Sequence, residues 1–496
     1  MRAIARLGRF IRKTLVPPTM SLVPAIVSSS VTFGLAVPAV SLARSGLVKA
    51  GLVKTGLVML ALAGLPMTQA SAETLPMPTI AVVAAASVVN TNASASAVKQ
   101  LADADSAVPN PLAFCQSKPL VIAHRGASGY LPEHSMAAYL KAIEQGADII
   151  EADLVPTRDG ILISRHENEL NLSTDVASRA EFADRKTRKQ VDGIWQEGWF
   201  SEDFTLAELK TLGLNETRPE LRPESAKYNG KFQIVTLTEI IQRLHQVNQL
   251  RAVQPGLAPV GLYLETKHPT YFSHAGVSLS GQPIAQDITQ LLLQTLEQSV
   301  ELLPNVVYIQ SFEISNLANI RFQYWPQLTK QLQQRLQLIQ LIGDTSGRFL
   351  QPNDSFSEPF DQVFAKQNPT AQPLPQVLQT SLAALGGTSV HYGELISKQG
   401  LTMIASYADG IGPWRENLYP QIGSDLSMLR QAQQLGLKVH PYTFRAEAPY
   451  LLKNQQGVPQ SMHDELYWLF RQGIDGVFAD FPDIAVAAKN AACSQS

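Results

Sequence analysis

The chain has 496 residues, 45% of them hydrophobic and 17% charged, with a formal net charge of −2, the balance of an ordinary globular protein with one large core and appendages. Nothing in the charge distribution forms a polybasic face, which argues against nucleic acid as a partner. Two cysteines, Cys115 and Cys493, are too few for a zinc framework, and they bracket almost all of the chain that reads as folded, so they are expected to form one disulfide.

The first segment reads as an export signal or membrane anchor over residues 1–72. Arg2, Arg6, Arg9, Arg12 and Lys13 make a basic start, an apolar run spans Leu57 to Leu65, and Ala70-Ser71-Ala72 is a small-residue cleavage pattern that would leave Glu73 first. An earlier apolar run from Leu22 to Leu42 makes the region long for a signal, but Pro17, Pro18, Pro24 and Pro38 weaken it as a spanning helix. No cysteine follows the apolar run, which argues against a lipoprotein anchor. The expected location is periplasmic or otherwise exported, with anchoring at the outer face of the inner membrane as the alternative, and membrane contact only if the leader is retained. Residues 73–117 are rich in Ala and Ser without a clear period and read as a linker.

From there to about residue 490, short apolar runs alternate with amphipathic helical stretches, the pattern of βαβ units around a parallel sheet. Eight runs are predicted as strands: Leu120 to Ala123, Asp148 to Leu154, Gly261 to Glu265, Val306 to Ser311, Leu336 to Ile342, Gly410 to Gly412 with its flanks, Leu437 to Thr443, and Gly476 to Ala479. Eight parallel strands predict an α/β fold, a TIM-type (β/α)8 barrel. Helices are expected over Ser135 to Gln145, with a capping serine, and over Ile284 to Glu301. The stretch of about 168–258, with Arg185, Lys186, Trp195 and Trp199, is longer than a crossover needs and reads as an inserted cap between the second and third strands.

In such a barrel the chemistry belongs at the carboxyl ends of the strands. His124-Arg125 ends the first strand, Glu151 and Asp153 end the second, His166-Glu167 follows it, and Glu265 and Lys267 end the third. Side chains two apart on a strand share a face, so three carboxylates are predicted to converge. They would repel one another or take up protons unless a cation lies between them, and oxygen-only ligation suits Ca²⁺ or Mg²⁺. A phosphodiester would meet that metal, Arg125 and Lys267, while His124 and His166 move protons.

The run Val121-Ile-Ala-His-Arg-Gly-Ala-Ser-Gly-Tyr-Leu-Pro-Glu-His134, the Glu151-x-Asp153 pair, the Thr157-Arg-Asp-Gly160 turn, His166 and Glu265-x-Lys267 together resemble the bacterial periplasmic glycerophosphodiester phosphodiesterase family. Tyr407-Ala-Asp-Gly-Ile-Gly-Pro413, Val439-His-Pro-Tyr-Thr-Phe444 and Asp475-Gly-Val-Phe-Ala-Asp-Phe-Pro482 extend the resemblance in the same order, over roughly residues 118–487. The resemblance implies metal-dependent hydrolysis of deacylated phospholipids, such as glycerophosphocholine, to glycerol 3-phosphate and an alcohol. It implies Glu151, Asp153 and Glu265 as metal ligands, Ca²⁺ in preference to Mg²⁺, and His124 and His166 as the acid/base pair. It further implies Arg125 at the phosphate and Glu133 as an orienting partner. Direct attack by water and attack by the glycerol 2-hydroxyl through a cyclic phosphate both remain open on the sequence. The chain departs from the family at Glu167, where aspartate is usual, which puts the fine geometry around His166 in doubt. His134 reads as support for a helix start and His440 as a strand residue. Phe312, Tyr442 and Phe444 read equally as pocket lining or barrel filling, and Asp480 as a site residue or loop packing. Phosphodiesterases of larger lipids and a non-catalytic phosphodiester-binding protein are the alternatives, and the presence of both histidines argues against the second.

Overall fold

The structure is a computed structural model and describes residues 118–345, 356–371, 374–386 and 390–494. The predicted leader and linker, and Cys115, lie outside the described residues. Cys493, near the end of the last helix, is disulfide-bonded. Among the described residues no helix is long and apolar enough to cross a membrane.

The strands are β1 (Leu120–Ala123), β2 (Ile149–Pro156), β3 (Leu162–Ser164), β4 (Thr187–Val191), β5 (Ile194–Gly198), β6 (Gly261–Thr266), β7 (Val307–Ser311), β8 (Leu336–Ile342), β9 (Gly410–Pro413), β10 (Lys438–Val439) and β11 (Gly476–Ala479). The main sheet runs β10-β9-β8-β7-β6-β2-β1-β11 with every neighbouring pair parallel. Just past β10 the chain reaches β11: Phe478 N–H donates to Pro441 O at 3.1 Å and Phe444 N–H to Phe478 O at 2.8 Å, which joins the ends. The predicted eight-stranded barrel is therefore the observed fold.

Side-chain alternation explains why these runs close up. Ile122, Ile149, Tyr263, Tyr308, Ile339 and Phe478, from six different strands, pack into one interior cluster. Their neighbours Val121, Ile150, Leu262, Ile309, Leu338 and Val477 join the larger cluster that the helices cover. A parallel strand buried on both faces needs apolar residues at every position until the strand end, where polar side chains begin. Gly410 and Gly412 let β9 pass close to β8, since a Cβ on either would stand 2.7 to 2.8 Å from Ile339 or Leu341.

The crossovers begin with side-chain caps. Ser135 accepts from Ala138 N–H ahead of the helix Met136–Glu144. The helix in the predicted Ile284 to Glu301 stretch spans only Ile288–Gln298, because Asp287 accepts from the N–H groups of Thr289 and Gln290 and fixes the start there. Between β2 and β6, β3 folds back antiparallel on β2 around the Thr157–Gly160 turn. β4 and β5 then form a separate two-stranded hairpin. The helix Leu237–Ala252, opened by a Thr236/Glu239 capping box, leads into β6.

Candidate active site

The alternation that builds the barrel interior continues past it. Two residues beyond Ile122 comes His124, and two beyond Ile149 comes Glu151, followed by Asp153. Two beyond Tyr263 comes Glu265, followed by Lys267; two beyond Tyr308 comes Gln310, and two beyond Phe478 comes Asp480. All are buried. The barrel mouth is consequently a layer of charged and polar groups resting on a layer of rings and aliphatic chains.

Glu151, Asp153 and Glu265 each offer an oxygen, and these oxygens lie within 4.8 Å of one another. Burial and the Asp153 charge push the Glu151 carboxyl well above the usual range. Burial, with Asp153 adding and Lys267 opposing, pushes Glu265 up to about 8. Burial would raise Asp153 as well, yet Arg125, His134 and Lys267 hold it well below the usual range. Three carboxylates that cannot all stay ionised unaided form a hard-oxygen donor set suited to a divalent cation.

The surrounding groups orient this set. Arg125 has left-handed backbone (φ +59°), and its N–H donates to Glu151 at 2.8 Å. Its guanidinium donates to both Glu133 oxygens at 3.1 Å and lies 3.2 Å from Asp153. Lys267 Nζ pairs with Glu265 at 2.8 Å and lies 3.3 Å from His166 Nε2. Gln310 donates to Glu151 at 3.3 Å.

Each predicted histidine is held through Nδ1. His124 Nδ1 lies 2.6 Å from Asp480 Oδ1, and Asp480 is itself paired with Arg222 and Arg445. His166 Nδ1 lies 2.6 Å from Glu167 Oε1, so the longer glutamate reaches the ring. Burial and then the nearby Arg125 lower both imidazoles, His124 to about 3.

His124, Arg125, Glu151, His166, Glu265 and Lys267 line one cavity of about 460 Å³, a volume suited to a small molecule. Asp153 and Glu133 are buried and are not among its lining residues. Phe312 and Tyr442 line it, whereas Phe444 is fully buried in the core. From the inserted stretch, Val191, Asp192, Ile194 and Gln196 reach the cavity. Trp195 is exposed, and Trp199 is buried with its indole N–H on Phe182 O at 2.7 Å.

Several site groups are not in the predicted set. His134 is wholly buried, its Nε2 3.0 Å from Asp153 and its Nδ1 2.9 Å from both Tyr139 Oη and Ser164 Oγ, so it orients a carboxylate besides following a turn. Gln310 and Asp480 follow from strand alternation at β7 and β11. Arg222 and Arg445 come from loops, and no periodicity points to them.

The chain matches the model of the glycerophosphoryl diester phosphodiesterase family over residues 124–484. Glycerophosphodiester phosphodiesterase GDPD6 of Arabidopsis thaliana is 31% identical over 373 residues, covering 74% of this chain and 84% of the relative. A glycerophosphodiester phosphodiesterase of Haemophilus influenzae is 28% identical over 385 residues, covering 75% and 90%. A solved Oleispira antarctica phosphodiesterase, in complex with the product sn-glycerol-3-phosphate, is 18% identical and covers 76% of this chain and 98% of that one, with a TM-score of 0.41. With that family match lying over the barrel and its polar mouth, the chain belongs to the glycerophosphoryl diester phosphodiesterase family and is a glycerophosphodiester phosphodiesterase.

Proposed function

We propose that this enzyme hydrolyses glycerophosphodiesters of deacylated phospholipids to glycerol 3-phosphate and an alcohol by metal-assisted, two-histidine chemistry. The observation that carries the reading is a buried carboxylate triad, two of whose members, Glu151 and Glu265, line one cavity together with two histidines, each fixed at Nδ1 by a carboxylate. The family is metal-dependent. Glu151, Asp153 and Glu265 hold the cation, Ca²⁺ in preference to Mg²⁺ on the family's pattern, and when bound it supplies positive charge where the phosphoryl oxygens gain negative charge.

Asp480 is kept ionised by Arg222 and Arg445 and can only accept, so His124 carries its proton on Nδ1 and presents a lone pair at Nε2. Glu167 likewise orients His166 through its Nδ1. One imidazole takes the proton of the attacking hydroxyl as its oxygen bonds to phosphorus. The other, protonated, gives a proton to the alcohol oxygen as the P–O bond breaks. Arg125 and Lys267 bind the phosphate, and Glu133 fixes the Arg125 fork.

We further place the enzyme outside the cytoplasm, in the periplasm or at the outer face of the inner membrane. The support is the basic, apolar and Ala70-Ser71-Ala72 pattern of the leader and the bonded state of Cys493.

The test is glycerol 3-phosphate release from glycerophosphocholine by the purified chain after metal stripping, then with Ca²⁺ or Mg²⁺ restored. Release should vanish on stripping and return better with Ca²⁺. Undiminished release by stripped protein would exclude the metal role, and release restored equally by both ions would remove the Ca²⁺ preference.

A further inference from the structure

A row of charged groups stands behind His166. Its Nδ1 lies 2.6 Å from Glu167 Oε1; the second Glu167 oxygen lies 3.6 Å from His268 Nε2; and His268 Nδ1 lies 2.6 Å from Asp192 Oδ2. The row passes from the loop after β3, through the loop after β6, to the tip of the β4–β5 hairpin. All four residues line the cavity.

Asp192 and Gly193 form the two-residue hairpin loop, both with left-handed backbone (φ +47° and +84°) between the paired Val191 and Ile194. Asp-Gly is favoured in such a turn for conformational reasons alone, and Asn-Gly serves equally well. The turn does not explain why the carboxylate points inward onto His268. The hairpin stem is also fixed on the barrel. Lys189 Nζ pairs with Glu202 at 2.9 Å and Asp203 at 2.7 Å, and Glu202 accepts from Tyr271 Oη at 2.7 Å, beyond the end of β6. The stem thus fixes where Asp192 meets His268.

Burial alone would lower His268, but Asp192 and Glu167 more than offset it and raise it to about 10. At 3.6 Å the His268 imidazolium attracts the far oxygen of Glu167 as a charge, without a hydrogen bond, and so favours the carboxylate orientation in which the near oxygen accepts the Nδ1–H of His166.

We propose that Asp192 and His268 are positioning residues that act on His166 through Glu167, so that the seated hairpin is part of the active site; this rests on His166 being a proton-transfer group. Neither residue takes part in bond making.

The test measures kcat and KM for glycerophosphocholine in the full chain at saturating metal, for Asp192→Asn, His268→Gln, His166→Ala, and each of the first two combined with His166→Ala. Asn keeps the preferred turn while removing the charge, so a purely structural Asp192 predicts unchanged kinetics. His268→Gln interrogates the row from the barrel side, independently of the turn. The expected result is a drop in kcat of about 10- to 100-fold for both single variants, the range seen for outer-shell partners. KM should change little, and neither should lower the residual rate of His166→Ala further. Wild-type kcat in both single variants would overturn the proposal, as would an equal fractional loss with and without His166. Wild-type kcat in His166→Ala would instead overturn the catalytic reading beneath it.

Discussion

Stripping the metal should make the stability of this protein depend on pH in a direction set by Glu265. In the metal-free fold its carboxyl is pushed up to about 8, from an ordinary 4.5, by burial and by Asp153, against Lys267. Between those values the unfolded chain has released a proton that the folded chain keeps, so stability falls as pH rises, by about 1.4 kcal/mol per unit. Across the window the loss approaches about 5 kcal/mol, a large share of the total stability of a folded protein. Glu151, raised by burial and Asp153, adds a loss of the same sign. Asp153 is depressed, so its contribution is present throughout this window and is lost only as pH falls below the ordinary carboxylate range. A cation binds the ionised forms and expels the proton, so it should stabilise the fold more at pH 8 than at pH 5. Paired calorimetric scans of stripped and Ca²⁺-loaded protein should show a Tm gap that widens over that range. Titration calorimetry in buffers of different ionisation heat should detect proton release on binding. A gap independent of pH, with no proton release, would show that Arg125 and Lys267 already keep all three carboxylates ionised.

Glu265→Gln should weaken metal binding by titration calorimetry, whereas His166→Ala should lower kcat by about 10²- to 10⁴-fold with metal affinity nearly intact; equal metal loss in both would refute the division of roles. Asp480→Asn removes the charge that fixes His124 and faces Arg222 and Arg445, and should cost about 100-fold in kcat. Wild-type turnover in that variant would show that His124 needs no orienting carboxylate. Lys189→Met leaves Glu202 and Asp203 buried without their cation and should destabilise the fold by about 3–5 kcal/mol, read from denaturant unfolding.

The barrel was legible because its strands are short, apolar on both faces and end in polar residues at a fixed parity, so that counting in twos from Ile149 reaches Glu151 and Asp153. The same count from Tyr308 and Phe478 reaches Gln310 and Asp480, which were legible in principle. His134 was not: its role depends on a left-handed backbone (φ +62°) that folds its ring under Asp153, a loop conformation with no periodic signature. Arg222 and Arg445 meet at Asp480 from loops far apart in sequence, which only the closed barrel brings together. The Asp192-Gly193 pair is a short-range hairpin signal, and a reading of that stretch by composition alone passes over it.

The charge inventory at the barrel mouth explains why metal and substrate should bind interdependently. Glu133, Glu151, Asp153 and Glu265, all buried, face Arg125, Lys267 and, at Glu133, the half-buried Arg218, four carboxylates against three cations. The upward shifts of Glu151 and Glu265 are the sign of that shortfall, since retained protons can make it up. A single divalent cation makes it up as well and would leave both carboxylates ionised. The protein's own cations pair with these carboxylates, Lys267 with Glu265 and Arg125 with Glu133 and Asp153. With Glu265 turned to a metal, the Lys267 ammonium would lose its strongest partner and become available to a phosphate oxygen beside His166. Phosphodiester and cation should each raise the affinity for the other, by the same factor, because both draw on the Lys267–Glu265 and Arg125–Asp153 pairs.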